Sequence, residues 1–152
     1  MKKILKIIGI ILLVLGLIQL IPVDRNNPPV KGNEDFVKIF NTPSTVQEIL
    51  KSACYDCHSN ETIYPDYAYI APISWAIKDH INEGREHLNF SVWATYNKDL
   101  KKNMLENAIA DLEQNRMPMA GYMVYHPNSR LSDAQKKLVI RYLSDILKSE
   151  KY

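Results

Sequence analysis

The sequence predicts an all-α fold of about four helices, preceded by an apolar N-terminal segment. Two stretches begin with the pattern Ser-x-x-Gln, which is typical of a capped helix start, and apolar residues then recur at helical spacing. No stretch alternates between apolar and polar residues with the period of a β-strand. The 152 residues are enough for one domain.

The first segment, residues 1–21, has the features of an export signal. Lys2, Lys3 and Lys6 precede an apolar run from Ile7 to Ile21, and basic residues ahead of such a run keep the N-terminus inside the cell. No small residues that would mark a cleavage site follow the run. We therefore expect a signal anchor, a single transmembrane helix in the bacterial inner membrane with the domain facing the periplasm. A cleaved signal peptide is the alternative.

Residues 22–43 are predicted to be a linker, because prolines, asparagines and a glycine interrupt them. The globular domain is expected to span residues 44–152. Its first helix begins at the pattern Ser44-x-x-Gln47 and continues into Cys54.

Three further helices are expected in the domain. The second runs from about Ser74 to Leu88 and the third from about Lys98 to Gln114, each with apolar residues three and four apart. The segment Asn89–Trp93 between them is predicted to be a turn with a buried aromatic residue. The last helix begins at Ser132-x-x-Gln135 and keeps helical spacing to the end of the chain.

The domain contains one C-x-x-C-H sequence, formed by Cys54, Cys57 and His58, and it includes both cysteines of the chain. This sequence is typical of covalent attachment of c-type haem, in which the thiols form thioethers and the histidine becomes the proximal iron ligand. A disulfide, or a zinc site that joins the two cysteines to two histidines, is the non-haem alternative. A thioredoxin-like site would need a βαβ context, which the chain lacks.

The sixth iron ligand is predicted to be Met117. Small c-type cytochromes supply a methionine from a loop before the last helix, often as Met-Pro, and Met117 precedes a proline in that position. His80, Met119 and His126 are the alternative ligands, and an open sixth position is a further alternative.

Residues matched in order between positions 36 and 147 carry a resemblance to a known family. They are Cys54-Tyr55-Asp56-Cys57-His58-Ser59-Asn60, Thr62, Tyr64-Pro65, Tyr67, Ile70-Ala71-Pro72, Ser74-Trp75, His80-Ile81, Gly84-Arg85, Leu88-Asn89-Phe90-Ser91, Trp93, Met117-Pro118, Tyr122, His126-Pro127 and Leu131-Ser132. The chain resembles the haem-binding-domain family of small, membrane-anchored c-type haem proteins. The resemblance implies an exported all-α, cytochrome c-like domain around one covalent haem. It also marks Arg85 as a candidate contact for a haem propionate, although a surface position is an equal alternative.

These observations favour an electron carrier over an enzyme. A haem ligated by His58 and Met117 would exchange electrons with redox partner proteins at the membrane. The alternative is an open or displaceable sixth site, as in a peroxidase or a gas or redox sensor, where His80 with Arg85 or His126 with Arg130 would serve. A net charge of +2 and the lack of a basic run among aromatics argue against nucleic acid as a partner.

Overall fold

The computed structural model describes residues 1–152, and the chain contains helices and loops without a β-strand. The all-α prediction is therefore confirmed. The α-helices are α1 (Lys2–Ile18), α2 (Phe36–Ile39), α3 (Ser44–Ala53), α4 (Tyr55–His58), α5 (Ile73–His87), α6 (Lys98–Glu113), α7 (Ala120–Tyr125) and α8 (Asp133–Ser149). Short 3₁₀ helices cover Asp66–Tyr69, Phe90–Thr95 and Pro127–Ser129.

Helix α1 projects from the domain and buries none of its residues. It ends at Ile18 after 17 residues, a length of about 25 Å at ~1.5 Å per residue, against ~30 Å for a bilayer core. No helix of the chain is both long enough and apolar enough to span a membrane. The predicted transmembrane signal anchor, on which the inner-membrane and periplasmic placement depended, is therefore wrong.

The core begins inside the segment predicted to be a linker, 22–43. Asp35 caps α2, since its Oδ1 accepts hydrogen bonds from the amides of Val37 (3.1 Å) and Lys38 (3.3 Å). The cap directs Phe36 into the core, where it is fully buried. The Phe36 ring lies edge-on to Trp93, with centroids 5.0 Å apart. Packing therefore extends upstream of residue 44.

Helices α3, α6 and α8 form the body of the domain, and their apolar faces meet in one core. Leu50, Leu105 and Val139 are each at most 2 % exposed. Trp93, from the 3₁₀ helix after α5, closes the end of this core and is 1 % exposed. The predicted turn with a buried aromatic residue is thus confirmed.

The two predicted capping boxes have different outcomes. Ser132 forms the box, because its hydroxyl accepts from the Gln135 amide (3.2 Å) while the Gln135 side chain accepts from the Ser132 amide (2.9 Å). The predicted box at Ser44 is wrong. Helix α3 has Pro43 at the N-cap position and Ser44 as its first helical residue, so Ser44 lies inside the first turn and makes no capping bond.

Ser132→Ala should lower the free energy of unfolding by about 1 kcal/mol, because it leaves the Gln135 amide without its partner. Ser44→Ala is the matched control, and we expect its effect to be a small fraction of that, since no capping bond is lost. Urea denaturation of the two variants checks the difference. Equal losses would contradict the assignment of the caps.

Candidate haem site

The C-x-x-C-H sequence lies where α3 ends and α4 begins. The backbone of Cys54 leaves helical geometry, with φ −127° and ψ −38°, and one turn of α4 follows at once. The amides of Cys57 and His58 both donate to the Cys54 carbonyl, at 3.3 and 2.9 Å. This single turn places the two cysteines on the same side of the chain, as attachment to one ring edge requires.

Tyr55 anchors this turn to the core. Its ring is 2 % exposed and stacks on Phe90, with centroids 5.2 Å apart and planes 8° apart. The Tyr55 carbonyl accepts a hydrogen bond from the Ser59 hydroxyl at 2.7 Å. Because the first residue between the cysteines is fixed in the core, the turn that carries the two thiols and His58 has a rigid base.

A buried polar network supports the chain after the turn. The Asn60 amide donates to the Ser91 hydroxyl (3.0 Å), and the Asn89 side chain donates to the Asn60 side-chain oxygen (2.9 Å). Asn89 also accepts from the Ser91 amide at 3.0 Å. These residues belong to the matched family pattern, and their role is to tie the haem-binding turn to the segment after α5.

His58 is held by one of its two ring nitrogens. Nδ1 lies 2.8 Å from the Gly84 carbonyl and 3.0 Å from the Leu88 carbonyl. A carbonyl can only accept, so Nδ1 carries the proton and Nε2 keeps a free lone pair. Burial lowers the pKa of His58 below its ordinary value, which favours the neutral imidazole. This is the tautomer that a metal-binding histidine needs.

Gly84 allows α5 to approach the turn closely enough for that bond. A Cβ at this position would lie 2.7 Å from the Cys57 carbonyl oxygen and 3.1 Å from the Cys57 Cβ. The contact with the carbonyl oxygen is closer than a real Cβ atom can pack without a shift of the backbone, and the contact with the Cys57 Cβ is also tight. Gly84 therefore allows the close contact between α4 and α5. Its place in the family pattern did not indicate this role.

A cavity of about 450 Å³ opens beside the turn, and we call it the thiol cavity because both cysteines line it. His58 and Met117 line the same cavity. The predicted attachment residues, proximal ligand and distal ligand are thus brought together around one space. Burial raises the pKa of Cys54 to about 12 and that of Cys57 to about 11, so both side chains are neutral thiols at pH 7.

These residues fit a haem group. The structure offers two thiols and an imidazole with its second nitrogen already bonded, and a methionine shares the cavity wall. The zinc alternative is not assembled, since no cluster of three His, Cys, Asp or Glu side chains could hold a metal ion. Cys54 and Cys57 are both free thiols, so the disulfide alternative is not formed either.

Of the other candidate iron ligands, two line the thiol cavity and one does not. His80 and Met119 line the thiol cavity but are half-exposed, and His80 Nδ1 lies 3.8 Å from a Glu83 carboxylate oxygen. His126 is not on this wall. Its Nε2 is 2.7 Å from the Tyr67 hydroxyl, and its ring stacks on Tyr122 with centroids 4.2 Å apart.

Arg85 makes its hydrogen bonds to the protein. Its Nε donates to the Ser59 carbonyl at 2.8 Å, and one terminal nitrogen donates to Asn27 Oδ1 (2.7 Å) and to the Thr62 hydroxyl (3.0 Å). It does not line the thiol cavity. The Arg85 guanidinium therefore connects α5 to the loop after His58 and to Asn27. Neither alternative drawn from the sequence, a propionate contact or a surface position, described this role.

Asp56 is a site residue that the sequence analysis missed. One carboxylate oxygen accepts from the Ile63 amide (2.9 Å), and the other accepts from the Tyr122 hydroxyl (2.7 Å). Tyr122 lies on α7, just after the Met117-Pro118 pair. The second variable position of C-x-x-C-H thus connects the attachment turn to the segment that carries the predicted distal ligand.

Fold and site together define an all-α domain suited to binding haem. A family model described as a haem-binding domain matches residues 13–145. The match covers most of the chain, and the chain therefore belongs to the haem-binding-domain family, as the resemblance indicated. No curated protein and no solved structure shows significant similarity to the chain.

Gly84→Ala should lower the free energy of unfolding by about 1–3 kcal/mol, because the added methyl group overpacks the contact with Cys57. Gly121→Ala is the matched control, since Gly121 is also helical and a Cβ there meets no atom within 4 Å. The control should be neutral or more stable by up to about 1 kcal/mol. Thermal and urea unfolding measure both. A Gly84→Ala protein as stable as the wild type would contradict the close contact.

Proposed function

We propose that this protein carries one covalently attached c-type haem in a cytochrome c-like arrangement and transfers electrons. The observation that carries the proposal is the shared wall of the thiol cavity, where Cys54, Cys57, His58 and Met117 meet. Bound haem supplies a one-electron iron couple, Fe(III)/Fe(II). The chain's own residues hold that group, and their contacts support a specific division of roles.

Cys54 and Cys57 are proposed to attach the haem. Each thiol adds across a vinyl double bond, so that a carbon–sulfur bond forms and the thiol hydrogen moves to the neighbouring vinyl carbon. No electrons are gained or lost in this addition. Both cysteines are free, so each has the thiol sulfur and the hydrogen that the addition requires.

His58 is proposed as the proximal ligand through Nε2. Its Nδ1–H bonds to the carbonyls of Gly84 and Leu88 fix the ring orientation and make Nε2 a better donor. Met117 is proposed as the distal ligand. A thioether is a soft, neutral ligand that favours Fe(II) and raises the reduction potential. With His58 and Met117 both holding the iron, the site would suit electron exchange with redox partner proteins.

A second candidate function is a haem with an open or displaceable sixth position. The half-exposed His80 and Met119 on the thiol-cavity wall favour it, because they leave part of the wall accessible to a small ligand. The two histidine–arginine pairs considered for a peroxidase-like site have less support, because both arginines contact other groups of the protein. Arg85 is committed to Ser59 and Thr62, and Arg130 Nε is directed to the Met123 carbonyl at 3.4 Å.

Covalent attachment predicts that haem stays with the chain after denaturation. Wild-type protein expressed in a host with c-type haem maturation should give a haem-stained band on a denaturing gel. The double variant Cys54→Ser and Cys57→Ser should lose the stain, because both thioethers are absent. Met119→Ala is the control and should keep it. An unstained wild-type band would contradict the proposal.

Ligation by Met117 predicts a specific spectral change. Met117→Ala should lose the weak red absorption band of methionine bound to Fe(III), because the thioether is removed, whereas Met119→Ala should keep it. The reduced wild type should bind carbon monoxide slowly, and Met117→Ala should bind it rapidly. If His80→Ala instead turns the ferric spectrum high-spin, the ligand is His80. Rapid carbon monoxide binding by the wild type would favour the second function.

A further inference from the structure

A second cavity adjoins the thiol cavity and has a different wall. It has a volume of about 430 Å³, and we call it the tyrosine cavity because four tyrosines line it. They are Tyr64, Tyr67, Tyr122 and Tyr125. Isoleucines from the loop after α4 and from α5 also line it. The roles proposed for Cys54, His58 and Met117 use none of these side chains.

We propose that the tyrosine cavity binds a small, flat, uncharged ring that carries a hydroxyl or carbonyl oxygen, the chemistry shared by phenols and quinones. The volume lies within the ~300–1,000 Å³ typical of small-molecule sites. Aromatic and isoleucine side chains favour a flat apolar ring, since rings pack well against both. This inference stands on the cavity itself and goes beyond electron transfer.

The polar groups on the wall select for an oxygen on the ring. The hydroxyl of Tyr64 is buried and has no hydrogen-bond partner. A buried hydroxyl without a partner costs about 1–3 kcal/mol, so a small shift of the Tyr64 side chain that brings this hydroxyl to an oxygen of the bound ring would be favourable. The Tyr67 hydroxyl and His126 form a second polar group on the same wall, 2.7 Å apart.

The wall also selects against charge. It contains no lysine or arginine, and its one acidic side chain is Asp56. Both carboxylate oxygens of Asp56 already accept hydrogen bonds, from Ile63 and Tyr122. Burial raises the pKa of Tyr64 and of Tyr67, so both stay neutral at pH 7. A charged ring would therefore be desolvated without a counter-charge.

The two cavities share part of their walls, namely Cys57, His80, Met119 and Tyr122. A ring in the tyrosine cavity would therefore contact side chains that also border the haem. Occupancy should shift the haem absorption spectrum slightly, whereas a ligand bound elsewhere on the surface should not. The spectrum gives a second readout beside direct measurement of binding.

The test titrates the haem-loaded protein by calorimetry with three probes. They are 2,3-dimethoxy-5-methyl-1,4-benzoquinone, 4-propylphenol and propylbenzene, which lacks the oxygen. We expect saturable binding of the quinone or the phenol at one site, at least fivefold tighter than that of propylbenzene. The tighter of the first two identifies the source of the ring oxygen.

Two variants locate the site. Gly121→Leu should weaken binding at least tenfold, because Gly121 lines the cavity and its Cβ direction is open space. Gly32→Leu is the matched control, as a Cβ there also meets no atom within 4 Å and Gly32 is not on the wall. Tyr64→Phe keeps the volume and should remove most of the preference for oxygenated rings.

Three results would overturn the proposal. The first is equal affinity for propylbenzene and for the oxygenated rings. The second is wild-type affinity in Gly121→Leu. The third is loss of haem from Gly121→Leu, which would show that the haem itself occupies the tyrosine cavity. Failure of the proposed electron transfer would appear separately, in the haem stain and the carbon monoxide spectra.

Discussion

The contact between α4 and α5 is the constraint on which the site depends. The carbonyl of Gly84 in α5 and that of Leu88, the residue after α5, accept the hydrogen bond of His58 Nδ1. That bond forms only because Gly84 has no side chain where it faces Cys57. One glycine therefore determines how close the helices lie, which tautomer His58 adopts and which of its nitrogens can bind a metal. Cys54 and Cys57 lie on the same rigid turn as His58.

The opposite side of the site is tied to the same turn through Asp56. Its bond to the Tyr122 hydroxyl joins the sequence between the cysteines to α7, immediately after Met117 and Met119. Burial and the bond to Asp56 raise the pKa of Tyr122, so the hydroxyl keeps its proton and remains a donor. The turn that carries C-x-x-C-H thus holds both His58, the proposed proximal ligand, and the segment that carries Met117, the proposed distal ligand.

The sequence predicted the fold class and most helix positions, because apolar spacing and capping patterns are local signals. It also predicted the residues that meet at the thiol cavity, because the C-x-x-C-H pattern is itself typical of haem attachment. The roles of Asp56 and Gly84 depend on contacts across 66 and 27 positions of chain, which no local pattern encodes. The predicted transmembrane anchor was wrong because the helix that the apolar run forms ends at Ile18 and is too short to span a bilayer.

Nitrogen NMR of the ferrous haem-loaded protein, with ¹⁵N-labelled histidine, tests the central claim most directly. Low-spin ferrous iron is diamagnetic, so both ring nitrogens of His58 are observable. The account predicts a slowly exchanging proton on Nδ1, bonded to the carbonyls of Gly84 and Leu88, and an Nε2 resonance shifted by iron. A proton on Nε2, or His58 resonances equal to those of a free histidine, would contradict it.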